Sequence, residues 1–180
     1  MNPKNVASTR FETSRIMTPD DANFLGKVFG GSILSLIDLA AYGTASRFAG
    51  NICVTASFDR VDFHEPIEVG ELVTMIGHVS FVGRTSVETT IEVHAENILS
   101  GTKRHTNTAR VTMVAIKDGR PVPVPRLVCE TREEKIRFLE GRIRRRLREV
   151  HQAERERRFA NLRDASDEEL DRLMSSDDLG

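Results

Sequence analysis

The 180-residue chain has no tryptophan, one tyrosine and two cysteines, Cys53 and Cys129. The cysteines stand far apart, and no C-x-x-C pair or Cys/His cluster accompanies them, so the spacing of a zinc site is missing. Two isolated thiols fit a reducing compartment better than a disulfide framework. Long apolar runs are missing as well. None approaches the roughly 18 residues that suggest a membrane span, and residues 1–7 lack the apolar stretch of a signal peptide. The expected location is therefore cytoplasmic. Neither a G-x-S-x-G elbow nor a P-loop occurs, which sets aside serine hydrolases and nucleotide hydrolases. A large net charge is lacking too. The 26 Lys and Arg residues oppose 27 Asp and Glu, for a formal −1, so the overall field draws the chain to no nucleic acid.

What is present is a core: 39% of residues are hydrophobic, enough for one domain plus an extension. Residues 1–9 are polar and are expected to be flexible. A short edge strand is expected over 10–17, then a turn over 18–23, where Pro19, Asp20, Asp21 and Asn23 supply turn chemistry. Gly30, Gly31 and Ser32 precede an Ile-, Leu- and Ala-rich run over 33–46, read as a helix that is apolar nearly all round and buried. Gly50-Asn51 ends it. The remainder to residue 116 reads as strands: 53–58, 61–63 up to Pro66, 71–82, 85–95 and 106–116, the fourth with period-2 patterning. Gly83-Arg84 and Ser100-Gly101-Thr102-Lys103 read as turns. One apolar helix followed by antiparallel strands needs the sheet to curl round it. That is an α+β arrangement, and its helix-wrapped version is the hotdog fold.

The boundaries expected are a domain over 10–125, a charged helical extension over 126–158 and an acidic tail over 159–180. Residues 130–158 carry eleven Lys or Arg against seven Glu, a net +4, and residues 159–180 carry two Arg against seven acids, a net −5. Ile136, Leu139, Ile143 and Val150 recur near heptad spacing. The extension is expected to pack on a neighbouring subunit. A weak anionic-surface contact through Arg142 to Arg146 is the sharper alternative.

Asp38 is the residue that most needs explaining. An ionised carboxylate inside an apolar helix costs several kcal/mol unless paired. It is either a structural residue bonded to backbone or to Arg47, or a functional one. Gly30 and Gly31 open the helix to close approach, and a helix N-terminus offers free N–H groups to developing negative charge. Such a turn serves as an oxyanion hole or as a tight packing point. Asp38 lies about 11 Å beyond Gly31 along the helix, too far for both to act on one carbonyl within a single chain. A two-fold dimer resolves this by placing one chain's Asp38 beside the other's Gly31. Asn23 is either a contact to the carbonyl or water, or an ordinary turn cap. His64, beside Glu65-Pro66, reads as a strand-end residue rather than a base.

Residues 17–23, Gly26-Lys27-Val28-Phe29-Gly30-Gly31 and Leu36-Ile37-Asp38, taken in that order, resemble the acyl-CoA hydrolase branch of the hotdog thioesterases. Residues 62–71, 82–87 and 96–103 continue the likeness, which covers roughly 10–125. The resemblance implies hydrolysis of a fatty acyl-CoA to free acid and CoA without metal or other cofactor. It implies Asp38 as general base or nucleophile, the Gly31 N–H of the partner chain on the thioester carbonyl, and Asn23 as a further catalytic residue. Phe29 and Gly30 are expected by the same resemblance to line the substrate, and Gly83, Arg84, Thr85, Ser86 and Lys103 are the expected CoA contacts, with Arg84 suited to phosphate. A homodimer is the implied minimal unit, and a hexameric trimer of dimers the implied assembly. A non-catalytic acyl-CoA sensor on the same fold is the alternative reading.

Overall fold

The structure, a computed structural model, describes residues 2–59, 61–63 and 65–176. The reading of His64 lies outside them. The chain forms two compact units, Met1–Gly141 and Arg142–Gly180. In the first, β1 (Lys4–Asn5) is followed by β2 (Phe11–Ile16), α1 (Gly30–Ala49), β3 (Ile52–Phe58), β4 (Leu72–Val82), β5 (Ser86–Asn97), β6 (Thr102–Lys117), β7 (Arg120–Pro121) and β8 (Leu127–Val128). An antiparallel sheet runs in the order β2-β4-β5-β6-β3, with β7 added to β6. The sheet curls about α1, giving the hotdog arrangement.

Burial on the inner face follows the period-2 pattern. Val73, Met75 and Val79 of β4, Val87, Ile91, Val93 and Ala95 of β5, and Ala109, Val111, Met113 and Ala115 of β6 are all buried against α1. The helix answers with Ile33, Ile37, Ala40, Ala41, Thr44, Ala45 and Phe48. Two glycines let the layers close. A Cβ on Gly77 would lie 2.2 Å from Thr44 Oγ1, and one on Gly43 would lie 2.6 Å from the Phe11 ring. Gly50, at φ +67°, supplies the left-handed residue that stops α1.

Several expectations change. α1 starts at Gly30, so the glycine pair forms its first turn instead of preceding it. The helix is not buried all round: one stripe faces the sheet, while Ser35, Leu39 and Tyr42 are exposed. Residues 61–63 form no strand. Their alternation is three residues long, and Pro66 cannot donate to a ladder. Thr102 and Lys103, read as turn residues, begin β6, because Gly101 at φ +68° has already completed the turn. The early residues are tied down: β1 pairs in parallel with β8, Lys4 Nζ donates to the Phe48 carbonyl at 2.8 Å, and the Val79 N–H donates to Thr9 Oγ1 at 3.0 Å.

α2 (Arg132–Asp164) begins in the first unit and continues into the second, where α3 (Asp167–Ser175) follows. The start of the extension, expected on a neighbouring subunit, packs on its own sheet. Phe138 meets Phe81 with ring centroids 5.0 Å apart, and a Cβ on Gly141 would stand 2.4 Å from that of Phe81. The residues expected as an acidic tail contain the end of α2 and all of α3.

Candidate active site

A tightly bonded loop leads into α1. Asp21 is buried and accepts from Arg15 on both carboxylate oxygens at 3.0 Å, from the Thr18 N–H at 2.9 Å and from the Thr18 hydroxyl at 3.0 Å. The Thr18 backbone bond leads in holding its carboxyl below the usual range, and Arg15 adds to it. The Asp21 carbonyl accepts the Phe29 N–H at 2.7 Å, and the Ile67 carbonyl accepts the Val28 N–H at 2.9 Å. Lys27 pairs with Glu68 across an isolated bridge.

Asn23 closes the tip. Its Oδ1 accepts the N–H groups of Leu25 at 2.9 Å and Lys27 at 3.1 Å, and its own N–H donates to the Lys27 carbonyl at 2.7 Å. The turn-cap reading of Asn23 is therefore present in the structure. Because Oδ1 is committed to two donors, Nδ2 is the group left outward; it makes no hydrogen bond among the described residues. Phe24 and Leu25 beside it are fully solvent-exposed, at 110% and 84%.

The loop delivers the chain to Phe29, an N-cap residue with no side-chain cap. Ser32 donates back to the Phe29 carbonyl at 3.0 Å. The Gly30 and Gly31 N–H groups before it are first-turn donors with no intrahelical acceptor, at the positive end of a 20-residue helix. Gly31 has a steric requirement as well: a Cβ there would lie 2.2 Å from the Phe29 ring. Phe63 stands over Gly30, its ring 3.6 Å from where a Cβ would be.

Asp38 is half-exposed on the side of α1 turned from the core. The structural pairing expected with Arg47 is not made. Arg47 donates to the Arg10 carbonyl at 3.3 Å and lies over the Phe11 ring. Asp38 Oδ1 instead accepts the hydroxyl of Thr55 on β3 at 2.5 Å. Oδ2 has no protein partner among the described residues. Sequence reasoning missed Thr55, since nothing in a strand's local pattern says which helical residue its exposed face meets. It also missed Arg104, which clamps Glu71 through bonds of 2.6 and 2.8 Å and reaches Glu65 at 3.2 Å and the Pro66 carbonyl at 2.8 Å. This clamp holds the 65–71 segment that braces Val28 and Lys27. Arg104, foremost by its hydrogen bonds, holds the Glu71 carboxyl below its ordinary range.

The residues expected to hold CoA fall at two places. Gly83 donates to the Ser86 carbonyl at 2.9 Å to close a hairpin with Arg84 exposed at its tip. The pairings Val87–Met113 and Met113–Thr55 put that hairpin at the Asp38 end of the sheet. Lys103 pairs with Glu96 at the far end of β5, roughly 30 Å along the strand, so one chain does not bring it to Arg84.

A family model described as the thioesterase superfamily matches residues 25–102. YkhA of Bacillus subtilis, named an uncharacterized acyl-CoA thioester hydrolase, is 40% identical over 124 residues, which span 68% of this chain and 72% of that one. The chain belongs to the acyl-CoA thioester hydrolases of the thioesterase superfamily. Among solved structures, an apo-hexameric acyl-CoA thioesterase superposes with a TM-score of 0.80 at 37% identity, covering 85% of this chain and 99% of that one. The acyl-CoA hydrolase of Staphylococcus aureus, solved with butyryl coenzyme A and coenzyme A, gives 0.77 at 29% identity, covering 88% and 98%. Forms of that hydrolase have been solved with an asparagine, an aspartate or a threonine replaced by alanine. Their positions are 15 and then 17 residues apart. Asn23, Asp38 and Thr55 stand at the same two intervals. These three residues come from a loop, a helix and a strand, so the shared spacing follows the whole fold rather than one motif.

Proposed function

We propose that this chain hydrolyses fatty acyl-CoA thioesters to the acid and CoA at a site shared by two copies. One observation carries the reading: the Asp38 carboxylate is held by the Thr55 hydroxyl through one oxygen, while the other has no protein partner among the described residues on a half-exposed part of α1. That free oxygen supplies the electron pair, through a water or by direct attack on the thioester carbon. A C–O bond forms, the C–S bond breaks, and the CoA sulfur leaves and takes up a proton given up by the water. On the direct route the acyl group first rests on Asp38 as an anhydride, which water cleaves to the acid and the free carboxylate.

The carbonyl oxygen needs donors as it becomes an oxyanion. The Gly30 and Gly31 N–H groups suit this, and they lie two turns from Asp38 on the same helix, about 11 Å away. They serve the Asp38 of a second copy. The surfaces such a copy would cover are exposed and apolar: Leu39 and Tyr42 of α1, Ile52 and Val54 of β3, and Phe24, Leu25, Phe29 and Phe63 around the helix start. Among the described residues β3 is also an edge strand with one side unpaired. An open cavity of about 700 Å³ between Tyr42, Ser46, Ile52, Val54 and the 116–119 turn lies along this face. Asn23 Nδ2 is the donor that orients the carbonyl or the attacking water, and Arg84 meets CoA phosphate. The assembly proposed is a hexameric trimer of dimers.

Thiol release from acyl-CoAs of graded chain length tests the reading. Asp38→Asn keeps the side-chain shape and removes the charge, and should lower kcat by about 10³-fold or more with CoA binding retained. Equal rates in the two proteins would refute the role of Asp38. Tight CoA binding with no release from any acyl-CoA would instead establish the sensor.

A further inference from the structure

The second unit carries two helical faces of opposite charge that the thioesterase reading does not use. On α2, Ile143, Leu147 and Val150 are exposed, at 59%, 47% and 48%. At about 100° per residue they fall within about 60° of one another. Arg142 and Arg146 flank this stripe on one side, and Arg144 and Arg148 on the other. Over residues 142–150, five arginines oppose Glu149, which Arg145 binds at 3.1 Å, leaving a net +4.

α3 has the complementary face. Leu170, Leu173 and Met174 share about 100° of its circumference. Met174 is 86% exposed. Glu169 borders this face on one side, Asp167 and Asp171 on the other, and residues 167–175 carry a net −3. α3 is a separate helix, started by its own capping box: Ser166 Oγ accepts the Glu169 N–H at 3.3 Å, and Glu169 Oε2 accepts the Ser166 N–H at 3.2 Å.

We infer that the acidic face of α3 docks on the basic apolar stripe of α2 in a second copy of this chain. Reach excludes the chain's own stripe. α2 is continuous to Asp164, and Val150 lies about 21 Å back along it. Nine residues of helix span only about 13 Å, so α3 folded back on its own α2 stops near residue 155. Each stripe is therefore covered by the α3 of another chain. The interface is small, and an assembly of copies supplies the high effective concentration that a small contact needs. Arg142, Arg144 and Arg148 also have partners within the described residues, so it is the net positive charge of the stripe that α3 complements. An anionic bilayer would suit that charge too, but it would leave α3, with its matching width and sign, unexplained.

The experiment uses the full chain with a benzophenone amino acid at position 174, assembled from equal parts light and ¹⁵N-labelled protein. After irradiation, adducts should map to residues 142–150, with about half of them joining light to heavy chains. Replacing both Asp167 and Asp171 by Lys should lower the adduct yield roughly five- to tenfold at low salt. Adducts confined to same-isotope pairs, or lying outside 142–150, overturn the inference. So does sedimentation of the intact chain with phosphatidylserine vesicles, since a stripe covered by α3 is not free for lipid.

Discussion

The shared site makes a quantitative prediction through subunit complementation. Gly31→Pro removes one N–H at the second helical position, where no intrahelical acceptor is lost and proline is tolerated. The Phe29 ring that would meet the new side chain must turn aside, and because the second copy covers it, recovery of the variant's dimer is checked by sedimentation before the assay. Asp38→Ala removes the carboxylate about 11 Å further along the same helix. Homodimers of Asp38→Ala have two dead sites, and those of Gly31→Pro have two sites left with the Gly30 N–H alone, slowed about 10²- to 10³-fold. In a mixed dimer, the site using Asp38 from the Gly31→Pro chain and the N–H of the Asp38→Ala chain is intact, while the other lacks both groups. With random pairing, half the dimers are mixed and each has one working site, so about a quarter of wild-type activity should return. The assay is thiol release at saturating acyl-CoA after the two proteins are unfolded and refolded together, with each variant refolded alone as the baseline. A mixture no more active than its components would place Asp38 and its oxyanion donors in one chain and refute the shared site.

Thr55→Val removes the hydroxyl that holds Asp38 while keeping the side-chain volume, and Thr55→Ser restores it. A hydrogen bond to a charged group contributes about 1.5–3 kcal/mol, less where water can replace it. The Val variant should therefore lose about tenfold in kcat, with the Ser variant within a few-fold of wild type; steady-state rates on both check this. Arg104→Gln should destabilise the fold by about 2 kcal/mol at pH 7 by leaving Glu71 buried without its cation, lowering Tm by several degrees. The sign of its pH dependence follows from carboxyl groups held below their ordinary 3.8 and 4.5 at Asp21 and Glu71. Their stabilisation is complete above about pH 4.5 and fades as the pH falls through the folded values. Arg104→Gln removes the Glu71 share, so the gap in Tm between variant and wild type should narrow between pH 7 and about pH 3.5. A gap that widens on acidification would contradict the clamp.

The sequence by itself determined the strands and the helix, because burial on one side of each imposes a period that can be read locally. Period 2 placed Val87, Ile91 and Val93 on one face, and the Ala- and Leu-rich run with Gly50 beyond it marked a single helix. It also placed Asn23, Gly31 and Asp38 in their order, and the motifs around them located the family. What it could not carry was which surfaces meet. The composition of α1 suggested burial all round, yet only one stripe is buried within the chain, since a 20-residue helix over one sheet has an outer side whatever its side chains are. Whether Asp38 bonded Arg47 or something else depended on where β3 lay, and β3's course past the helix is fixed by its long-range pairing with β6. Thr55 and Arg104 were invisible for the same reason. Their partners lie 17 and 33 residues away, and a contact that far along the chain is decided by the sheet order that brings the strands together.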